Sequence, residues 1–230
     1  MGEYGTPNID IEEGWLDVDW RGRTQRYLFP RQASSIYHTS KIMDTDLIWY
    51  FVRTRGLAVT DLMQGPVYGH SVDTEYKKCC NTSFHYDQVF GTVLNRFVVQ
   101  AAHGLPLTVY GKGTQQRGYI DLNDSIKCIE LAINNPASHG ELKIYNQITE
   151  IKSVNDIADN VVDAARALGL KCEKVMKKNL RYETEEHYYN PRYDKLKSLG
   201  LKENRITTEK LIGYIRFAMT EPLLTNHKFT

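Results

Sequence analysis

The sequence predicts an α/β fold, because segments with helical and with strand periodicity follow one another along most of the chain. The clearest case is a helical pattern that starts near Ser34, stops at Gly56 and is followed at once by an apolar strand, Leu57 to Gln64. Two further strands, at residues 118–122 and 142–145, are each followed by a helical pattern. Helices and strands in alternation are typical of α/β construction.

The composition is that of an ordinary globular protein. Of 230 residues, 41% are hydrophobic and 25% charged, which is enough apolar material for a sizeable core. The formal net charge of +1 gives no electrostatic reason to expect nucleic acid or an anionic membrane as a partner. The cysteines form no Cys-x-x-Cys and the histidines show no ligand spacing, so we expect reduced thiols, a cytoplasmic or plastid-like compartment and no metal site. No segment predicts a signal peptide or a transmembrane helix.

Residues 1–14 read as a loop with no strand or glycine-rich turn before it. A dinucleotide-binding fold needs a first strand, a glycine turn and a helix N-terminus to hold the pyrophosphate. We therefore expect this chain to be the C-terminal part of a longer α/β protein. The next segment, residues 15–33, alternates polar and apolar positions around Arg21-Gly22-Arg23, which predicts a hairpin. Its arginines are interpreted as solvated surface in preference to an anion site.

The start of the first predicted helix, residues 34–53, carries a pair of residues suited to proton transfer. Tyr37 and Lys41 lie one turn apart and so share a face. A phenol has an unperturbed pKa of about 10, and an ammonium beside it favours the phenolate, which brings the phenol towards use as a base near neutral pH. Tyr193 and Lys197 repeat the spacing, but they lie in a charged segment where we expect a solvated helix face.

A glycine-containing turn, Gly65 to Gly69, follows the strand that ends at Gln64. Open α/β sheets place ligands at the carboxyl ends of their strands, so Gln64 and Val67 are predicted to lie nearest a bound cofactor. Further on, Gly111-Lys112-Gly113 has the form of a phosphate cradle, although a plain turn is the commoner structure for such residues. Arg117 either grips a diphosphate or forms surface salt bridges.

The remaining elements complete the predicted alternation without adding chemistry. A polar loop is expected after residue 70 and a Lys-, Glu- and Tyr-rich segment after residue 177. The predicted strand is 107–110, and the predicted helices are 91–102, one capped by Asn123 or Asp124, one over 153–168 capped by Ser153, and 207–219 with an apolar stripe at Leu211, Ile212, Ile215 and Phe217.

Several stretches together carry a resemblance to a known family. They are the helix with Tyr37 and Lys41, residues 1–14, Gln32–Ser35, Val89–Thr92, Leu94–Phe97, Leu107–Gly113 and Glu185–Asn190. Through them the chain resembles the extended short-chain dehydrogenase/reductase family, whose members modify nucleotide sugars with bound NAD. The resemblance implies a Rossmann-like NAD-binding sheet, of which residues 1–69 would be the remaining part. Residues 70–230 would be mainly a small mixed α/β substrate lobe, with the strands near 118–122 and 142–145 returning to the sheet.

The resemblance also implies the roles of individual residues. Tyr37 would be the base, Lys41 would lower its pKa and hold the nicotinamide ribose, and Glu3 and His38 would form an acid-base pair. From the sequence alone, His38 points in a different direction from Tyr37 on the helix and is more typical of a structural histidine. The residues expected to bind the nucleotide sugar are Asn95, Arg96, Tyr110, Arg117 and Arg181.

The reaction that the resemblance implies joins UDP-glucose and sulfite into a sulfonated UDP-sugar, with NAD as cofactor and a homodimer as the complete protein. Two other functions stay open. A related UDP-hexose epimerase or dehydratase would use Tyr37, Lys41 and Arg117 but would not need Glu3 and His38. A non-catalytic subunit that binds nucleotide sugars would need none of the acid-base residues.

Overall fold

The computed structural model describes residues 11–31, 33, 35–71, 83–87, 91–178 and 189–222. Strands and helices alternate along them, which confirms the predicted α/β class. The strands are β1 (Ile11–Glu12), β2 (Trp15–Trp20), β3 (Arg23–Leu28), β4 (Val59–Gln64), β5 (Val67–Tyr68), β6 (Leu107–Tyr110), β7 (Gln116–Asp121), β8 (Leu142–Gln147), β9 (Glu150–Ser153) and β10 (Lys174–Lys177). The helices are α1 (Ile36–Arg55), α2 (Val93–Ala102), α3 (Leu122–Asn134), α4 (Val154–Ala167), α5 (Lys195–Ser198) and α6 (Thr208–Thr220).

The chain divides into two compact units, each assembled from three stretches of sequence. The first unit draws on Met1–Gly65, Ser125–Ile148 and His187–Glu203. The second draws on Pro66–Asp124, Thr149–Glu186 and Asn204–Thr230. The predicted division at residue 69, into a cofactor-binding part and a substrate lobe, stays a prediction.

The first unit is built around a parallel pair of strands. β4 pairs with β8 in register along its whole length, so that Gln64 lies opposite Gln147 and both strands end at the same edge. α1 begins after the N-cap Ser35. Gly56 ends the helix in the left-handed conformation, which confirms the predicted stop. The core of this unit contains Trp15, Val52, Met63, Leu142 and Ile144, with Leu28, Ile48, Trp49 and Val59 packed against it.

One prediction for this unit is wrong. The apolar run that leads into β4 predicts a strand buried on both faces, but Leu57 is 47% exposed and Met63 is the buried side chain of β4. A strand is buried on both faces when layers pack above and below the sheet. In β4 the side chains other than Met63 are only partly covered or exposed, so the two faces are not both covered within the described residues.

The hairpin predicted over residues 15–33 is confirmed as β2 and β3, and β1 extends it into a three-stranded antiparallel sheet. Arg26, one of the arginines of the hairpin, is half exposed and forms ion pairs across the strands, at 2.7 Å from Asp17 and 2.9 Å from Glu12. At the base of the hairpin the ring of Trp15 packs edge-on against that of Trp49, with the centroids 5.1 Å apart. This contact joins the hairpin to α1.

Gly14, in the turn before β2, is predicted to be intolerant of any side chain. It has a φ of +91°, and a Cβ placed there would lie 2.7 Å from Cδ1 of the buried Ile144. We expect Gly14→Ala to lower the free energy of unfolding by about 1–3 kcal/mol, because it adds overpacking to backbone strain. Gly22→Ala is the matched control, since Gly22 has a φ of +73° but nothing within 4 Å of the added Cβ. Equal losses for both variants in urea titrations would contradict the overpacking.

The second unit has a mixed sheet and a layer of helices. β5 runs parallel to β7, β9 runs antiparallel to β7, and β6 and β10 form a separate parallel pair. Helices α2, α4 and α6 pack on one another around the main core of this unit. Leu211 and Ile215 are almost completely buried, and Ile212 and Phe217 pack against the core, which confirms the predicted stripe of the last helix as core.

The helix caps test two predictions made from the sequence. Ser153 caps α4 in a reciprocal capping box with Asp156, as predicted. The predicted cap of α3 is wrong, because the helix already begins at Leu122 and Asp121 precedes it. The Asp121 carboxylate accepts the backbone N–H of Asn123 at 2.8 Å, which is the contact of an N-cap residue. The sequence does not indicate Asp121 as this cap, because it lies within the strand predicted over residues 118–122.

Candidate active site

α1 presents the predicted proton-transfer pair on its outer surface. Tyr37 lies in the first turn and is 63% exposed, so its phenol can be reached from solvent. Lys41 follows one turn later, with its Nζ 6.0 Å from the centre of the Tyr37 ring. The structure therefore brings the two side chains to one face of one helix, as their spacing predicts.

Lys41 also has a carboxylate partner. Its Nζ donates to Oδ2 of Asp44 at 2.9 Å, and both side chains are about half exposed. The hydrogen bond that Lys41 donates to Asp44 and the charge of that carboxylate raise the pKa of Lys41 above its ordinary value. The ammonium is therefore fully charged near neutral pH, which is the state that favours a phenolate beside it.

His38 contacts the cap of the same helix. Its Nδ1 lies 3.0 Å from Oγ of Ser35, and its backbone N–H donates to that oxygen at 3.2 Å. The His38 ring also meets the ring of Tyr37 edge-on at a centroid distance of 5.4 Å. The contact with Ser35 is the kind of hydrogen bond expected of a structural histidine. The acid-base role of His38 stays a prediction.

Gln64 lies at the carboxyl end of β4, where the sequence places it nearest a cofactor. Its Nε2 donates to Oγ of Ser125 at 2.9 Å. Val67, the other predicted cofactor contact, belongs to the second unit and lies in β5. The contact of Gln64 and Val67 with a cofactor stays a prediction.

Three of the residues expected to bind the nucleotide sugar lie around β6 and α2 in the second unit. Arg96 has its guanidinium 5.5 Å from the centre of the Phe97 ring and 5.4 Å from that of Tyr110, so it is held among aromatic rings. Its Nη2 also donates to the Thr108 carbonyl at 3.5 Å. Asn95 is 5% exposed, and its Oδ1 accepts the backbone N–H of Gly69 at 3.3 Å.

The predicted phosphate cradle is a tight turn between β6 and β7. Gly111 and Gly113 both have positive φ, at 68° and 72°, which only glycine adopts without strain. Asn155 at the start of α4 holds this turn in place. Its Nδ2 donates to the Lys112 carbonyl at 2.9 Å, and its backbone N–H donates to the Gly113 carbonyl at 2.9 Å. Arg117 follows in β7 and is partly exposed, with Nη1 donating to the Gln116 carbonyl at 2.7 Å. Glu3 and Arg181 lie outside the described residues.

A group of buried carboxylates in the second unit was not predicted. Asp121 and Asp124 are each 2% exposed, and Glu150 is 7% exposed. Asp121 accepts from Lys210 Nζ at 3.0 Å and from the Tyr214 hydroxyl at 3.1 Å. Asp121 and Glu150 each lie at the end of a strand and Asp124 in the first turn of α3, but exposed acidic residues are also common at such positions, so the sequence does not indicate burial.

Glu150 holds the segment before α6. Its Oε1 accepts the backbone N–H of Ile206 at 2.7 Å and the Tyr68 hydroxyl at 3.4 Å. Burial raises the pKa of the Glu150 carboxyl, and these hydrogen bonds oppose that effect only in part. Burial likewise raises the pKa of Asp124.

These pKa shifts predict how stability changes with pH. A carboxyl whose pKa is raised by folding stabilises the folded state below its unfolded pKa of about 4.3, and that contribution is lost as the pH rises through the folded pKa. Glu150→Gln removes this titration while keeping an acceptor for Ile206. We therefore expect the variant to gain stability relative to the unaltered chain, by on the order of 1 kcal/mol, as the pH rises from about 4 to 7. The charged groups that act on the Glu150 carboxyl are Lys152 and Arg205, and both lower its pKa.

The control for that prediction is Glu209→Gln, which changes an exposed glutamate in the first turn of α6. Thermal unfolding at several pH values provides the measurement. A difference between the Glu150 variant and the unaltered chain that stays constant with pH would contradict the prediction.

The described residues contain neither a metal-binding cluster nor a membrane-spanning helix. None of their His, Cys, Asp and Glu side chains cluster in a way that could hold a metal ion. None of their helices has the length and apolar character needed to cross a membrane.

Curated relatives match nearly the whole of this chain. It is 50% identical over 221 residues to the chloroplastic UDP-sulfoquinovose synthase of Spinacia oleracea, covering 95% of this chain and 46% of the relative. It is 48% identical over 201 residues to the UDP-sulfoquinovose synthase of Sulfolobus acidocaldarius, covering 87% of this chain and 51% of that protein. The chain thus spans about half the length of the curated relatives that it matches.

Solved structures establish the fold. A Thermus thermophilus UDP-glucose 4-epimerase in complex with NAD matches with a TM-score of 0.61 and 22% identity, over 82% of this chain and 55% of the epimerase. A UDP-glucuronic acid 4-epimerase from Bacillus cereus, in complex with UDP-glucuronic acid and NAD, matches with a TM-score of 0.61 and 19% identity, over 83% of this chain and 55% of that one. The chain therefore has the Rossmann-like α/β fold of these proteins over about half of their extent, as predicted.

A family model also matches the sequence directly. It describes the NAD dependent epimerase/dehydratase family and covers residues 22–147, which is more than half of the chain and includes α1 with Tyr37 and Lys41. On this match, the chain belongs to the NAD dependent epimerase/dehydratase family.

Proposed function

We propose that this chain carries the proton-transfer helix and the sugar-nucleotide lobe of a UDP-sulfoquinovose synthase, which converts UDP-glucose and sulfite to UDP-sulfoquinovose with bound NAD. The observation that carries the proposal is the exposed Tyr37–Lys41 face of α1 within a sequence about half identical to two such synthases. The residues present fit the nicotinamide end of NAD, since a phenol, an ammonium and the Gln64 amide lie on α1 and at the carboxyl end of β4, where α/β sheets place their ligands.

NAD, when bound, supplies reversible hydride transfer at C4 of the sugar. Tyr37 as phenolate takes the proton from the 4-hydroxyl, and Lys41 keeps that phenol ionised and holds the nicotinamide ribose. The resulting 4-ketone makes the C5 proton acidic. Water is then lost across C5 and C6 when one group removes that proton and another protonates the leaving 6-hydroxyl. Glu3 and His38 are the proposed pair for this step.

Sulfite then completes the chemistry. It adds through sulfur at C6 of the unsaturated ketone while C5 regains a proton, which forms the C–S bond of the product. Tyr37 would give its proton back to the C4 oxygen when the ketone is reduced, and bound NAD would supply that reduction with no net change in its own oxidation state. Arg96, Arg117, Arg181, Asn95 and Tyr110 are proposed to hold the UDP-sugar during these steps.

An epimerase function is the second candidate, because the solved structures with the same fold include UDP-sugar epimerases. Epimerisation would use Tyr37 and Lys41 in the same way, with no need for sulfite. A homodimer is also proposed for the complete protein, with the apolar side of α1 that carries Ile36, Met43, Leu47 and Tyr50 as the contact.

Product analysis tests the proposal. The longest polypeptide encoded around these residues is incubated with UDP-glucose and NAD, with and without sulfite, and the nucleotide sugars are identified by mass spectrometry. We expect a sulfonated UDP-hexose that forms only with sulfite. Formation of UDP-galactose at the same rate with and without sulfite, and of no sulfonate, would support the epimerase function and overturn the proposal.

A further inference from the structure

Two glutamines from neighbouring strands converge on one serine at the carboxyl edge of the β4–β8 pair. Gln64 and Gln147 end the two strands and lie opposite each other in the register. The Nε2 of Gln64 donates to Oγ of Ser125 at 2.9 Å. The Nε2 of Gln147 donates to the carbonyl of Ser125 at 2.8 Å and lies 3.3 Å from its Oγ. All three residues belong to the first unit.

Burial differs sharply within this trio. Gln147 is 1% exposed and Ser125 is 4% exposed, whereas the side chain of Gln64 is exposed. A buried amide and hydroxyl must keep their hydrogen bonds, since losing one leaves a desolvated polar group. A backbone carbonyl only accepts, so the Gln147 group that faces it is the amide nitrogen. Gln147 therefore fixes Ser125 from the interior, and Ser125 holds Gln64 at the surface.

From this arrangement we infer that Ser125 is a positioning residue for Gln64 and, through Gln64, for the nicotinamide end of the cofactor. The inference rests on the proposed function, in which Gln64 contacts the nicotinamide. An exposed glutamine samples several rotamers, and ordering it on binding carries an entropic cost. Ser125 lowers that cost by holding the Gln64 carboxamide in one rotamer before the cofactor binds.

A double-mutant cycle tests this inference. Ser125→Ala, Gln64→Ala and the double variant are made in the longest polypeptide that contains these residues, and NAD affinity is measured by titration calorimetry. Loss of one such hydrogen bond is worth about threefold to tenfold in affinity, so we expect Ser125→Ala to weaken NAD binding by that factor. In the Gln64→Ala background the same substitution should have no further effect. Ser125→Thr keeps the hydroxyl and should bind NAD within about twofold of the unaltered protein.

A matched control separates positioning from a loss of folding. Ser198→Ala removes another serine hydroxyl of the same unit, which donates to the Lys195 carbonyl at 2.7 Å, and should leave NAD affinity unchanged. An unchanged affinity for Ser125→Ala, or an equal loss with and without Gln64, would overturn the inference alone. A complete absence of NAD binding by the unaltered protein would overturn the proposed function and the inference with it.

Discussion

Replacing Tyr37 with phenylalanine is expected to abolish turnover of UDP-glucose while leaving its binding close to intact. The phenol of Tyr37 is the proposed base for the 4-hydroxyl, and it lies exposed on α1 one turn before Lys41. General-base catalysis contributes roughly 10²- to 10⁴-fold to a rate, and the loss of an essential base can exceed that range. The ring itself is retained in the variant, so the shape of the site changes little. The measurement is kcat with sulfite, together with the dissociation constant of UDP-glucose.

The chain contains its own control for this experiment. Tyr193 and Lys197 have the same spacing, and the Lys197 Nζ lies 4.2 Å from the centre of the Tyr193 ring, closer than Lys41 lies to Tyr37. Lys197 is also paired with Glu203 at 2.7 Å. Because Tyr193 has no role in the proposed reaction, Tyr193→Phe should keep full activity. A Tyr37 variant that works at near the unaltered rate, or a Tyr193 variant as inactive as the Tyr37 variant, would show that Tyr37 is not the base.

The second large effect is expected on association. The outer face of α1 carries apolar side chains at helical spacing, among them Ile36 (86% exposed), Met43 (63%), Leu47 (57%) and Tyr50 (51%). Contiguous apolar surface of this kind is typical of an interface, and a helix side that packs in an interface has this spacing. We expect residues 1–230 to self-associate at micromolar concentration through this face. Leu47→Glu should shift the protein towards monomer, because association would bury a carboxylate.

Arg55→Gln is the control for charge, since it changes the net charge by the same single unit at the end of α1, away from this apolar face. Light scattering and sedimentation velocity measure the particle size. A monodisperse monomer for the unaltered chain, with a cooperative thermal transition, would contradict the expected association. The same result would also show that β4 and α1 are stable with the exposure described above.

Local patterns predicted those parts of the fold that depend on neighbours in sequence. The end of α1 follows from the stop at Gly56, and the capping box of α4 follows from Ser153 and Asp156. The Tyr37–Lys41 pair is of this kind as well, because helical geometry alone places two residues four apart on one face.

Features that depend on distant partners were not predictable in this way. Asp124 receives the backbone N–H of Asn204 from 80 residues further along the chain, and no local pattern indicates that contact. β5 has two residues, which is too short to show periodicity, and the side chains of β10 are all exposed, so no apolar pattern indicates that strand. The exposure of β4 depends on what packs on its two faces, whereas its own apolar sequence predicts a buried strand. Ser125 reads as an ordinary helical serine until β4 and β8 bring two glutamines beside it.

In the proposed function, C4 of the sugar is oxidised and reduced again while sulfite adds at C6. The most direct measurement uses UDP-glucose deuterated at C4, with sulfite and the longest polypeptide encoded around these residues, followed by mass spectrometry and NMR of the product. We expect one sulfonate at C6 and retention of the deuterium at C4, because the hydride that leaves C4 returns to it. A sulfonated product that has lost the deuterium, or a deuterated product without sulfur, would contradict the proposed function.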